Sequence, residues 1–350
     1  MISYFNLNMK KISSYLVMLF LLLSCSALQA QTVLPQYRVV NSFHLQGNDG
    51  WDYVTADESA GRLFVSHGTQ VQVIDETNGN LLGTIPDTKG VHGIALAPDL
   101  NKGFISCGRD SSVTVFDLET LNVLDRINVG AKNPDAILYD PYSRRVFTFN
   151  GGSSNSTVMN AQTNKVIGTI PLDGKPEFSV SDGNGKVYVN IEDKNEIAVI
   201  EPIAMFVEQQ WSISPGESPS GLALDNDNHR LFSVCGNKMM VIVDAQNGKI
   251  ITTLPIGERV DGAAFDPVLK RAYSSNGEGT LTIVEEVNKD LFKVLENITT
   301  QKGARTIAVD TKTHHIFLPT AEFGPAPENQ GPRPSVIPDT FVILDVEPLR

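Results

Sequence analysis

Cysteine is scarce: there are three in 350 residues and no CxxC pair. That excludes a disulfide framework, a thioredoxin-type redox motif, a zinc ribbon and a CxxCH haem attachment. Positive charge is scarce too. Twenty-eight Lys and Arg stand against 40 Asp and Glu, for a formal net charge of -12. A surface that acidic repels phosphate backbones and anionic lipid, so no nucleic-acid partner is expected. After residue 30 no apolar run is long enough to span a membrane. There is no HExxH, no GxSxG elbow, no P-loop, and no GxGxxG between a strand and a helix. No cofactor is implied. The chain is 41% apolar and 19% charged, which supports a packed core and excludes wholesale disorder.

The first thirty residues read as an address. Lys10 and Lys11 precede an apolar run from Tyr15 to Leu23, and small and polar residues follow from Ser24 to Gln31. A basic start, a short apolar stretch and a small-residue exit describe a signal peptide, with cleavage expected after Ala30. The run from Leu22 to Cys25 is a weaker rival, a lipobox that would leave Cys25 lipidated. Both place the domain over 31–350 outside the cytoplasm, periplasmic or secreted.

The rest is one unit written seven times. A short alternating strand closes on Asp75, Asp117, Asn160, Glu201, Asp244, Glu285 and Asp345. The first six of these residues are 41 to 43 residues apart and the last interval is 60. A second series precedes them, as in RLFVSHG (62–68) and KVYVNIE (186–192). A third opens each unit, as in WDYVTAD (51–57) and GAAFDPV (262–268). A fourth, as in LLGTIP (81–86), closes most of them. Four short strands per forty-odd residues, separated by Gly, Asn, Asp and Pro, is the period of a propeller blade. The expected fold is all-β, a seven-bladed β-propeller of four-stranded blades. Small residues such as Gly93, Ala136, Gly221 and Gly262 suit inner strands crowded about an axis. Asn-Gly at 78–79 and 247–248 marks hairpins between the third and fourth strands. There are seven opening strands but six closing ones, so the segment Tyr37 to Leu45 is expected to close the ring.

The repeats in KVYVNIEDKNEIAVIEP (186–202) and in 113–141 resemble the YVTN-type β-propeller repeat of YncE-like proteins. Segments such as LFSVCGNKMM (231–240) and SSNGEGTLTIV (274–284) are similar to an exported bacterial branch of that family. The resemblance covers essentially the whole chain after the leader. It implies the fold and leaves the chemistry open, because propellers bind, scaffold and catalyse alike.

Loops before the first strand and after the second open on one face of a propeller. The first set is Asp52, His92, Asp135, Glu177, Ser220, Asp261 and Arg305, one per blade. The second includes His67, Arg109, Asn150, Asn190, Lys238, Asn276 and Glu322. Repeated structural loops do not require different polar residues. Asp52, His92, Asp135, Glu177, Asp261, Arg305 and Glu322 are therefore the candidate ligand-binding residues of an acidic channel mouth. One His with carboxylates spread along the sequence does not define a metal site. Cys107 and Cys235 end second strands on opposite sides of the ring and are not expected to bond. His314 and His315 read as an exposed turn. Residues 323–338 hold five prolines and emerge at the mouth, where they could form a stiff lid that includes Arg333.

The function expected is an exported, monomeric binding module that offers its mouth to a small ligand, a peptide or an envelope protein. Two alternatives stand beside it. By fold analogy with lactonases and antibiotic lyases, the mouth could be an active site, with or without a metal. His92 would then be the acid/base, with Asp135, Glu177 and Asp261 around it. Alternatively, the chain is a scaffold that works through its blade rims.

Overall fold

The computed structural model describes residues 36–47, 49–325 and 335–349. The expected leader, Cys25 and Arg333 lie outside the described residues. Seven sheets of four antiparallel strands form a ring, the β-propeller the repeats predict. The innermost strands of blades 1 to 6 are Trp51–Asp57, Val91–Ala97, Pro134–Asp140, Pro176–Ser181, Pro219–Asp225 and Val260–Asp266. Blade 7 is composite. From the inside outward it runs Ala308–Val309, Ile316–Thr320, Val342–Pro348 and Tyr37–His44. No described helix is long and apolar enough to cross a membrane.

Strand alternation puts successive side chains on opposite faces of a blade, and both faces are buried. Leu63 packs into the seam with blade 7, while Phe64 packs into the seam with blade 2. Seven apolar clusters result, each lying between two neighbouring blades. This is why the middle strands read as nearly continuous apolar runs. Every second strand carries a buried aromatic at its second or third residue: Phe64, Phe104, Phe147, Tyr188, Phe232, Tyr273 and Phe317. Each buried ring of this kind contributes about 2–3 kcal/mol relative to exposure.

The N-terminal strand closes the ring, as expected. Tyr37–His44 pairs antiparallel with Val342–Pro348. Tyr37 is buried, and its hydroxyl lies 3.0 Å from that of Tyr273 in blade 6. Phe43 and Leu45 pack in the seam between blades 7 and 1. One strand therefore seals both seams of the composite blade.

The acid or amide that recurs at or near the end of each third strand has a local cause. Asp75 accepts from Thr77 N–H, Asp117 from Thr120 N–H and Asp244 from Gln246 N–H. These carboxylates satisfy turn donors that would otherwise be orphaned. The Asn-Gly hairpins are present but longer than two residues, spanning 76–80 and 245–249. Gly79 and Gly248 supply the left-handed residue that ends each loop, at φ +72° and +74°. Crowding at the axis is real: a Cβ on Gly221 would lie 2.5 Å from the Ala263 nitrogen.

Cys107 and Cys235 are free and buried, as expected. Burial raises both thiols, Cys235 to about 12, so neither is poised as a nucleophile. The histidine pair is not an idle exposed turn. His314 Nδ1 lies 2.7 Å from buried Asp266, and His315 Nδ1 lies 2.6 Å from buried Asp345. Each is only partly exposed and ties its turn to a neighbouring strand.

Candidate functional site

The seven positions of the first polar set are structurally equivalent. Each lies three residues before the partner of the buried aromatic in its blade. Thr55 pairs with Phe64, and Asp52 is three before it; Ala308 pairs with Phe317, and Arg305 is three before it. Asp52, His92, Asp135, Glu177, Ser220 and Asp261 are the second residues of their inner strands, not members of the preceding loops. In each of these six blades the register shifts at this point. Such a bulge releases a residue from the ladder and re-aims its side chain, here toward the axis. Strand-two residues satisfy the backbone it exposes. Ser106 Oγ donates to the Asp135 carbonyl, Asn190 Nδ2 to that of Ser220 (2.9 Å), and Ser275 Oγ to that of Arg305 (2.5 Å).

The mouth is a cavity of about 730 Å³. On one side His92 Nδ1 lies 2.6 Å from Asp52 Oδ2 and 3.7 Å from Asp135 Oδ1. The other Asp52 oxygen accepts from Arg305 at 3.2 Å, and Arg305 also pairs with Asp261. Burial disfavours charge on His92, but the Asp52 hydrogen bond and the Asp135 charge outweigh it and raise its pKa. Burial raises Asp135 as well; His92 pulls it down and Asp52 pushes it up. Glu177, 2.7 Å from Lys175 Nζ, is pushed up to about 7 by burial, against the pull of that lysine and with Asp135 adding repulsion.

The mouth is not uniformly acidic, which corrects the expectation from sequence. Asp52, Asp135, Glu177 and Asp261 line the cavity together with Lys175, Arg259, Lys302 and Arg305. Arg259 and Lys302 form no ion pair among the described residues, and both are exposed. Arg259 also holds a left-handed backbone, φ +56°, where the equivalent residue of blade 2 is Gly90. The same conformation recurs at Asn133, Ser218 and Gly303, the equivalent positions of blades 3, 5 and 7, so it belongs to the repeat.

Trp51 and Phe323 add an aromatic wall, with ring centroids 5.9 Å apart. Below them Tyr53 of blade 1 stacks on Phe178 of blade 4 at 5.6 Å. The two rings meet across the axis. Tyr53 lines the mouth, while Phe178 lines a second cavity of about 490 Å³ walled mainly by apolar residues of the inner strands.

The second polar set behaves differently. His67, Asn150, Asn190 and Asn276 are buried and brace their own or adjacent blades. His67, for example, bonds Gln72 at 3.1 Å and the Asp49 carbonyl at 3.0 Å. Arg109 and Lys238 are exposed, and Lys238 pairs with Glu258. Five of the other six candidates line the cavity and His92 joins them through Asp52 and Asp135, whereas Glu322 is exposed and does not line the cavity. Its neighbour Phe323 does line it and forms a bridge with Val336 across the base of the Pro-rich insertion.

No protein-family profile matches the chain, and no curated protein is similar to it in sequence. Among solved structures, the hydrazine synthase of Kuenenia stuttgartiensis is similar, with a TM-score of 0.68 and 16% identity. The match covers 79% of this chain and 94% of that one. Similarity at this identity is similarity of fold.

Lys175 and Arg259 were legible in principle. Each lies two residues before a chosen position, Glu177 and Asp261, in the loop that enters the inner strand at the mouth. Lys302, Tyr53 and Phe323 carry no such signal; only the assembled ring brings them to the mouth.

Proposed function

We propose that the protein binds a small polar ligand in the channel mouth. The observation that carries this is a pair of cations without ion-pair partners across the mouth from two carboxylates. Arg259 and Lys302 offer cations that no described carboxylate neutralises, while Asp135 and Glu177 face them from blades 3 and 4. A ligand with an anionic group at one end and hydrogen-bond donors at the other would satisfy both poles. Its apolar part would rest on Trp51 and Phe323. The repeat motifs support membership of the YVTN-type, YncE-like propellers, and the leader motif supports export to the periplasm or beyond. The deciding experiment is native mass spectrometry of the chain purified from its own cells. A retained small molecule, lost in an Arg259→Ala/Lys302→Ala variant, is the expected result. A ligand-free chain that arrives with a partner protein would overturn it.

A scaffold reading has one observation in its favour. Leu81 and Leu82, Leu124, Ile203 and Phe206 expose apolar surface on the outer parts of blades 1, 2 and 4. Replacing Leu82, Leu124 and Phe206 by Ser would release a partner held there and leave one held at the mouth.

A further inference from the structure

We infer that Asp52, His92 and Asp135 form a binding site for a single first-row divalent ion of the manganese-to-zinc series, open to the mouth cavity. The inference rests on the mouth being the working site, and it names a component of it. Three donors come from three blades: Asp52 from blade 1, His92 from blade 2 and Asp135 from blade 3. One ligand atom of each lies within 4.8 Å of the other two. An ion held about 2.1 Å from each donor accepts donor separations up to about 4.2 Å, so a small side-chain adjustment closes the set. The ion takes the place of the proton that His92 Nδ1 shares with Asp52 Oδ2.

A second observation is independent of this proximity. The Asp135 carboxylate lines the cavity half-buried, and it accepts no hydrogen bond from any described residue. It points at the same His92 nitrogen that Asp52 holds. A half-buried carboxylate with an oxygen to spare, beside an imidazole that Asp52 already holds, is placed to share a cation with both. Asp52 is also held ready. Arg305 occupies Oδ1, which leaves Oδ2 as its metal-facing oxygen.

The donor set selects the ion. An imidazole nitrogen with two carboxylate oxygens suits Mn²⁺, Fe²⁺, Co²⁺ or Zn²⁺, whereas Ca²⁺ and Mg²⁺ prefer all-oxygen shells. Three protein ligands leave coordination positions open, and the cavity beside them is large enough for an oxygen of the bound molecule.

The test is calorimetric titration of the chelator-stripped chain with ZnCl₂ and with MnCl₂. One equivalent should bind, with no competition from CaCl₂. Asp135→Asn and His92→Gln should each weaken binding by 100-fold or more. CoCl₂ should give visible d–d bands that disappear in both variants. Thermal melts of the metal-free variants control for folding, and either variant alone suffices if the other fails to fold. Absence of saturable binding overturns the site. So does wild-type affinity in both variants, which would assign the metal to surface carboxylates. A chain that binds no metal but retains a molecule dependent on Arg259 and Lys302 leaves the ligand reading standing. The reverse result removes that reading and keeps the metal site.

Discussion

The two ends of the inner strands carry equally polar residues that do opposite things. At the end away from the mouth, Asp57, Asp140, Asp225 and Asp266 close four of the strands, and Asp310 follows the strand of blade 7. All five are buried and all five are bonded to donors in the turn that follows. At the mouth end the equivalent position holds Asp, His, Asp, Glu, Ser, Asp and Arg in turn, and these residues bond across blades around a cavity. An acid that recurs in register answers a backbone need that recurs in register. Polar residues that differ from blade to blade answer something the backbone does not ask for. A repeat protein thus separates structural from functional polarity by whether the residue itself repeats.

The largest effect should come from the part that breaks the repeat at the chain level. Removing residues 36–46 strips blade 7 of its outer strand and unseals two seams by deleting Tyr37, Phe43 and Leu45. Calorimetry should then show no cooperative transition near that of the intact chain; an unchanged melting temperature would mean the ring does not need closure. Next in size is a cap. Asp140 accepts from Ser143 N–H at 2.9 Å, and also from Ser143 Oγ and from Ser181 Oγ at 2.6 Å. Asp140→Ala leaves these half-buried donors unsatisfied and should cost about 1–3 kcal/mol by denaturant unfolding. A cost below about 0.5 kcal/mol would break the distinction drawn between the two ends.

Most of the fold was legible because the repeat over-determines it. Seven copies of an alternating strand ending in an acid or its amide fix the blade count, the register and the need for a closing strand. Where the repeat falters, so does the reading. Blade 7 was expected to open with a full strand, but only Ala308 and Val309 join the ladder. Arg305 is held in place by other means: its carbonyl accepts from Gly262 N–H at 2.8 Å. The site was half legible. Equivalence by register identified Asp52, His92 and Asp135 but could not show that three of seven positions converge on one nitrogen. Nor could it show that cations from the entry loops balance the acids. Strand-two residues such as Asn150 and Asn276 looked like mouth residues because sequence does not distinguish a side chain bracing a blade from one facing the axis.

The seams between blades offer a pH-dependent test of the same distinction. Glu76 of blade 1 meets Asp310 of blade 7, and Glu286 of blade 6 meets Asp225 of blade 5. Burial first, and then the neighbouring aspartate, push each glutamate up to about 7. His315 near Glu76, and Asn228 and Lys270 near Glu286, pull the other way. An unfolded glutamate ionises near pH 4.3. Between there and about pH 7 the folded chain holds more protons than the unfolded one, so stability falls as pH rises through this window. Below it the contribution is complete, and above it the contribution is gone. The melting temperature should drop by several degrees between pH 5 and pH 8. The drop should shrink in Glu76→Gln/Glu286→Gln, with Glu177 at the mouth retaining a share of the same sign. A slope identical in the double variant would remove the seams as its source.

The smallest thermal effect should come from Asp135, a ligand of the proposed metal site. Asp135 occupies the mouth position of the same inner strand that Asp140 closes, five residues away; Asp140 is fully buried, whereas Asp135 is half-buried at the cavity. Its carboxylate accepts no described hydrogen bond, and its burial disfavours the charge it must carry. Asp135→Asn removes that charge, leaves the backbone bond from Ser106 to the Asp135 carbonyl in place and creates no void. The metal-free variant should melt within about 2 °C of the parent, or slightly above it, while Asp140→Ala on the same strand falls far below. Circular dichroism melts of the two variants in chelator side by side make the comparison. If Asp135→Asn proved as destabilising as Asp140→Ala, the mouth ring would be another set of structural caps, and its variety from blade to blade would need a cause within the fold.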